Sequence, residues 1–113
     1  METNSNNSPK KIELPCSLEV VGCGMLSGRT RELTGHEISM QFPNLAFPSA
    51  RKPKVGASGM LTFELVMYGT PKETLRMPCH VNFVSSVIVN VSINVQTLNS
   101  RQRERFIELL KSK

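Results

Sequence analysis

The sequence predicts a mainly β protein, a six-stranded antiparallel β-barrel that ends in a C-terminal α-helix. Apolar and polar residues alternate with a period of two along most of the 113-residue chain, which is typical of strands with one buried and one exposed face. Short clusters of turn residues interrupt this alternation, as in small antiparallel barrels. Only the last segment has the apolar periodicity of a helix. The length suits one domain with one core.

Residues 1–9 are predicted to form a flexible arm, and residues 10–113 the folded domain. The arm, METNSNNSP, is polar and has almost no side chain to bury. It does not resemble a signal peptide, and no apolar run approaches the roughly 18 residues of a membrane span. We therefore expect a cytoplasmic protein without a membrane-spanning segment.

Six strands are expected between this arm and the helix. The first begins at Ile12, and every second residue from there to Val20 is apolar. Residues 43–56 contain several prolines and are therefore expected to form a surface loop between the third and fourth strands. In the fifth strand every second residue from Leu75 to Phe83 is apolar. This set, including Phe83 at its end, is expected to face the core. The strands are predicted at Ile12–Val20, Met25–Leu33, His36–Phe42, Leu61–Met67, Leu75–Phe83 and Val87–Val95.

The closing helix is expected over residues 100–111. Asn99 is a good N-cap residue, and together with Gln102, three residues on, it resembles a capping box. The charged residues of this segment take the outer surface. The apolar stripe is predicted to consist of Phe106, Ile107 and Leu110, with Leu109 on the flank. Such a stripe must pack on apolar surface, and the mouth of the barrel offers it.

Side chains that carry catalysis or hold metals are sparse. Three cysteines, an odd number without a Cys-x-x-Cys spacing, argue against a disulfide framework and against a zinc site. The two histidines, His36 and His80, are not spaced with Cys, His or carboxylates as a metal site requires. No nucleophile elbow and no Cys/His pairing occurs in the sequence. We therefore predict neither an enzyme nor a metalloprotein.

The charge balance favours an anionic partner. The chain has 14 Lys and Arg against 9 Asp and Glu, a formal net charge of +5, and such a balance attracts nucleotides, nucleic acids or acidic protein surfaces. Aromatic residues make up 5% of the chain, and Trp is absent. Because proteins that bind single strands need aromatic stacking platforms as well as charge, the composition disfavours a nucleic-acid partner.

Three segments, in their order and spacing, resemble a known family. They are Leu14–Val20, Gly28–Thr34, and Val91–Val95 with the helix start Ser100–Ile107. Together they are similar to the first strand, the strand entering the signature turn, and the last strand and closing helix of the PilZ domain. The resemblance covers roughly residues 10–110. It implies a small bacterial barrel of the type whose better-known members bind cyclic di-GMP.

Two motifs mark the PilZ domains that bind this ligand. One is an RxxxR arm ahead of the first strand, whose guanidinium groups grip phosphates and stack on guanine. The other is a [D/N]xSxxG turn, whose carboxylate or amide and hydroxyl read the guanine edge. Planar guanidinium suits phosphate in a bidentate contact, and a carboxylate suits paired N–H donors. The resemblance implies that such binding is passed on by contact with a protein of motility, pilus or exopolysaccharide control.

The matching positions of this chain are altered. The arm contains no arginine, and Glu37 stands where the motif has its glycine. Arg29 and Arg31 would compensate if either turned toward the site. The candidate ligand residues carried over from the resemblance are Lys10 and Lys11 for phosphate, Glu32 and Thr34 for guanine, and Gly35 with His36 at the turn. Cyclic di-GMP sensing is the favoured expectation, and a PilZ-like adaptor that binds no nucleotide is the alternative.

Overall fold

The computed structural model describes residues 9–47, 51–65, 69 and 71–111. The predicted arm lies outside the described residues except for Pro9, so its flexibility stays a prediction. Two short 3-10 helices, Pro43–Ala46 and Val95–Thr97, connect strands or lead into the helix. The remaining elements are β1 (Lys10–Lys11), β2 (Pro15–Val20), β3 (Gly24–Leu33), β4 (Glu37–Gln41), β5 (Ser58–Leu65), β6 (Glu73–Ser85), β7 (Ile88–Ile93) and α1 (Ser100–Lys111).

Six of these strands close into a barrel. The neighbours run β3-β2-β5-β6-β7-β4, and β4 pairs with β3 to complete the circle. Every pairing is antiparallel. The short strand β1 continues along β3 beyond the start of β2. The prediction of a six-stranded antiparallel barrel with a C-terminal helix is confirmed, and each predicted strand overlaps one of β2–β7.

The core is built from the inward phase of the strands, as the period-two alternation requires. Burial along β2 alternates from Cys16 to Val20, and the same pattern runs through β5 and the first part of β6. The helix closes the core from one side, where the Phe106 ring packs on the Phe63 ring of β5 with centroids 6.1 Å apart. Aromatic pairs at this spacing add to the stabilisation from burial.

The helix starts where the sequence predicts but buries a different stripe. The Asn99 side-chain oxygen accepts from the Gln102 N–H at 2.8 Å, which is an N-cap. Leu109, expected on the flank, is buried together with Phe106. Ile107, expected in the stripe, is exposed. The helical pattern gave the correct element, but the docking angle on the barrel decides which residues of an apolar group are covered.

A β-bulge in β6 overturns one core prediction. The pairing of β6 with β7 shifts between Val81 and Phe83. An extra residue in one strand reverses the inward and outward phases beyond it. Phe83, predicted to face the core, is therefore 52% exposed, and Val84 packs against the core instead.

A second irregularity separates β1 from β2. Lys11 pairs with Glu32 and Pro15 with Arg29, so the three residues that connect β1 to β2 lie opposite two residues of β3. The fully buried Thr30 joins the two sides of this gap. Its hydroxyl accepts from the Leu14 N–H at 2.8 Å and donates to the Ile12 carbonyl at 2.6 Å. This side chain thereby holds the segment before β2 against β3.

Candidate functional site

The structure brings the predicted basic pair beside the predicted turn. In the register of β1 with β3, Lys10 lies opposite Leu33 and Lys11 lies opposite Glu32. The Lys11 side chain is exposed and that of Glu32 is partly exposed. The lysines and the motif carboxylate are far apart in the sequence, and they become neighbours because Thr30 anchors the segment that connects β1 to β2.

The Thr34 hydroxyl is engaged within its own turn. It accepts from the N–H groups of Glu37 at 3.0 Å and His36 at 3.3 Å, and it lies 3.3 Å from the Glu37 carbonyl, to which it donates. The Thr34 N–H also donates to that carbonyl, at 2.8 Å. Such a turn closed by a threonine hydroxyl is a local alternative to a longer strand. A ligand would have to compete with these bonds for the hydroxyl.

Gly35 and His36 form the exposed tip of the turn. Gly35 does not have a positive φ, and a Cβ placed on it would meet nothing within 4 Å. The turn therefore has no conformational need for glycine at this position. The His36 carbonyl accepts from the Ile93 N–H at 2.9 Å, which ties the tip to the end of β7. Glu37 is exposed as the first residue of β4 and lies opposite Ser92.

Cations at the site face carboxylates. A cavity of about 230 Å³ is lined by Lys11, Arg31, Glu13 and Glu32. Arg29 lines the neighbouring cavity of about 170 Å³, and its Nε lies 3.6 Å from a Glu13 carboxylate oxygen. Arg31 therefore shares a cavity with Lys11, whereas Arg29 is engaged by Glu13. In the larger cavity two cations are balanced by two carboxylates. This cavity therefore does not present the surplus of positive charge that a ligand with two phosphate groups attracts.

The outer face of the barrel carries a polar network that was not predicted from the sequence. Ser92 donates to Asn82 at 2.9 Å, Asn82 donates to Asn90 at 3.0 Å, and Asn90 donates to Ser39 at 2.8 Å. The network crosses β6, β7 and β4 and adjoins the candidate site, because Ser39 lies opposite Glu32. Asparagine is depleted in strands, so its presence at the outward positions of two strands was the available signal.

The other side chains that the structure describes offer little metal-binding or nucleophilic chemistry. No group of three His, Cys, Asp or Glu side chains that could hold a metal occurs among residues 9–47, 51–65, 69 and 71–111. Burial raises the pKa of Cys16 to about 12 and that of Cys79 to about 11, so these thiols stay protonated near neutral pH and are poor nucleophiles. In the part of the chain that the structure describes, no helix has the length and apolarity needed to span a membrane.

The fold has a solved counterpart. The chain is similar to the structure titled "Crystal structure of PilZ domain of CeSA from cellulose synthesizing bacterium", with a TM-score of 0.61 and 15% sequence identity over 92% of this chain and 95% of that chain. No protein-family model matches the sequence, and no curated protein matches it. The closed barrel, the strand order and the C-terminal helix thus form a PilZ-like fold, and the resemblance seen in the sequence is confirmed at the level of the fold.

Proposed function

We propose that this chain is a PilZ-type regulatory protein, not an enzyme, which acts by contact with a protein partner and does not bind cyclic di-GMP tightly. The PilZ-like fold supports the regulatory class. The observation that carries the choice of mechanism is the presence of carboxylates among the cations of the candidate site. Lys11 and Arg31 share one cavity with Glu13 and Glu32, and Arg29 lies 3.6 Å from Glu13.

The expected loss of affinity is large. A hydrogen bond to a charged group contributes about 1.5–3 kcal/mol, so a site without the two arm arginines is weaker by roughly two to four decades. Lysine restores the charge but neither the fork of donors nor the stacking surface. The exposed Glu37 adds a negative charge at the turn, which opposes an anionic ligand, and the Thr34 hydroxyl is already hydrogen-bonded within the turn.

A protein contact has a suitable surface beside this site. The bulge in β6 exposes Phe83, which lies opposite Asn90, and the network from Ser92 through Asn82 and Asn90 to Ser39 adjoins it. An exposed aromatic anchor with a rim of hydrogen-bonding groups is the usual anatomy of a protein interface. We propose this face for the contact with a component of motility, pilus or exopolysaccharide control.

Weak cyclic di-GMP sensing is the second candidate. It is favoured by one observation, the register that puts Lys10 and Lys11 beside Leu33 and Glu32 at the entrance to the Thr34 turn. In that case the lysines contact phosphate, Glu32 and Thr34 read guanine, and Gly35 with His36 leaves room at the tip.

Isothermal titration with cyclic di-GMP, with GTP as the control nucleotide, separates the two candidates. The adaptor predicts no binding by the natural chain and a gain of binding in a variant that restores both motifs, with Asn7→Arg and Lys11→Arg in the arm and Glu32→Asp, Thr34→Ser and Glu37→Gly in the turn. Micromolar binding by the natural chain that is lost in Glu32→Ala contradicts the adaptor and establishes a sensor with an altered site.

The partner-contact face is tested by crosslinking. With Phe83 replaced by the photo-crosslinker benzoylphenylalanine, we expect one dominant protein adduct in native cells. The same amino acid in place of Arg76, which is exposed on the same strand, is the matched control. Equal adduct patterns from the two positions would contradict the assignment of this face.

A further inference from the structure

Two adjacent loops expose apolar side chains that the fold does not cover. Val21, in the turn between β2 and β3, is 82% exposed, and Met25, just after it, is 60% exposed. Val55, in the loop before β5, is 68% exposed. Single exposed apolar residues are ordinary on protein surfaces, but a group on neighbouring loops indicates contact with another apolar phase.

Contacts between the two loops make this one surface. The Val21 N–H donates to the Ser58 carbonyl at 3.3 Å, and the Cys23 thiol donates to the Arg51 carbonyl at 3.1 Å. A cavity of about 210 Å³ lies between the loops and is lined by Val21, Gly22, Cys23, Lys52, Pro53, Lys54 and Ala57. The loops are therefore held side by side, and their exposed residues act together.

Basic residues accompany these apolar side chains on the loop before β5. Arg51, Lys52 and Lys54 are all exposed and occupy three of the four positions directly before Val55. An acidic residue, Glu19, lies opposite Met25 in the pairing of β2 with β3. We call the set Val21, Met25, Arg51, Lys52, Lys54 and Val55 the basic loop surface.

We propose that the basic loop surface docks on an anionic lipid bilayer. Aliphatic side chains on loop tips enter the boundary between headgroups and acyl chains, while lysine and arginine heads remain among anionic headgroups. The formal net charge of +5 adds long-range attraction to the same surface. The apolar members are Val21 and Met25 at the β2–β3 connection and Val55 on the other loop, without the Trp or Tyr anchor typical of a protein hot spot. The chemistry therefore favours lipid over an acidic protein.

Co-sedimentation with vesicles tests whether the basic residues of this surface bind anionic lipid. We expect the chain to sediment with vesicles of phosphatidylcholine and phosphatidylglycerol but not with phosphatidylcholine alone, and binding to fall as salt rises. Lys52→Glu with Lys54→Glu should weaken binding by more than about tenfold. Arg76→Glu with Lys111→Glu makes the same change in net charge at exposed positions elsewhere and should retain most of the binding. Equal losses in the two double variants would overturn the proposal, because net charge alone would then account for binding.

A second variant tests whether the exposed apolar side chains contribute to vesicle binding. Val21→Ser with Val55→Ser keeps every charge and should weaken binding to the mixed vesicles several-fold, with an unchanged melting temperature because both side chains are exposed. Soluble poly-glutamate is the probe for an acidic protein surface. If this variant binds vesicles as the natural chain does, or if poly-glutamate binds the chain while the mixed vesicles do not, the bilayer is the wrong partner.

Discussion

Thr30→Val tests how the barrel holds the segment that carries the candidate lysines. The side chain is fully buried, and its hydroxyl bridges the Leu14 N–H at 2.8 Å and the Ile12 carbonyl at 2.6 Å across a gap in the ladder. Valine has nearly the same shape, so the substitution removes two hydrogen bonds without opening a cavity. Both backbone groups then lose their partner, and the Leu14 N–H is enclosed.

The magnitude follows from those two groups. A buried polar group left without a partner costs about 1–3 kcal/mol, and the Ile12 carbonyl is partly open to water, so we expect a total loss of about 2–3 kcal/mol. For a domain of this size that corresponds to a fall in Tm of roughly 10–20 °C. Urea unfolding and a thermal melt give the two numbers independently.

Thr30→Ser is the matched control. Serine keeps the hydroxyl and loses one methyl group, so it should cost about 1 kcal/mol from the lost burial alone. Backbone amide exchange between Ile12 and Leu14 should rise in the valine variant and change little in the serine variant. If valine is as stable as threonine, or serine is as damaging as valine, the hydroxyl bridge is not what holds this segment.

Three further predictions follow from the packing and burial. Gly28→Ala should cost more than about 3 kcal/mol, because a Cβ there overlaps a β4 carbonyl oxygen and a buried ring, whereas Gly35→Ala meets open space and should leave the urea midpoint nearly unchanged. Burial raises the pKa of Cys16 to about 12 and of Cys79 to about 11 from 9.0. The stability that these buried, protonated thiols contribute is therefore fully present below pH 9.0 and is lost as the pH rises through their folded-state pKa values. The urea midpoint should fall accordingly at alkaline pH, and a variant with Cys16→Ala and Cys79→Ala should lack this fall. Glu73→Gln removes the carboxylate that lies 3.7 Å from a mostly buried helix arginine and should lower the unfolding free energy by about 1 kcal/mol, with a smaller difference at high salt.

The candidate site was only partly visible in the sequence. The sequence directly shows which residue types alter the motif and that the arm contains no arginine. That Lys11 lies opposite Glu32, and that Arg29 approaches Glu13, depends on the register of three strands. Side-chain neighbours across a sheet are set by pairing between distant segments, and no local pattern encodes that pairing.

The exposed Phe83 is a second case in which the pattern of one strand did not predict where a side chain lies. Its alternation with Val81 predicts a buried ring, and a single bulge against β7 turns the ring outward. The signal for the bulge lies in the fit between two strands and is not contained in either of them.

The strands and the closing helix follow from the amino-acid order alone, because the period-two and helical alternations are local patterns. The Asn99 cap is local in the same sense, since its bond spans three residues. Tertiary structure alone decides the Thr30 bridge, the outward Phe83, the balanced charges beside Lys11 and the basic loop surface. Each of these depends on which strand or loop lies next to which, and closure of the barrel settles that for all strands at once.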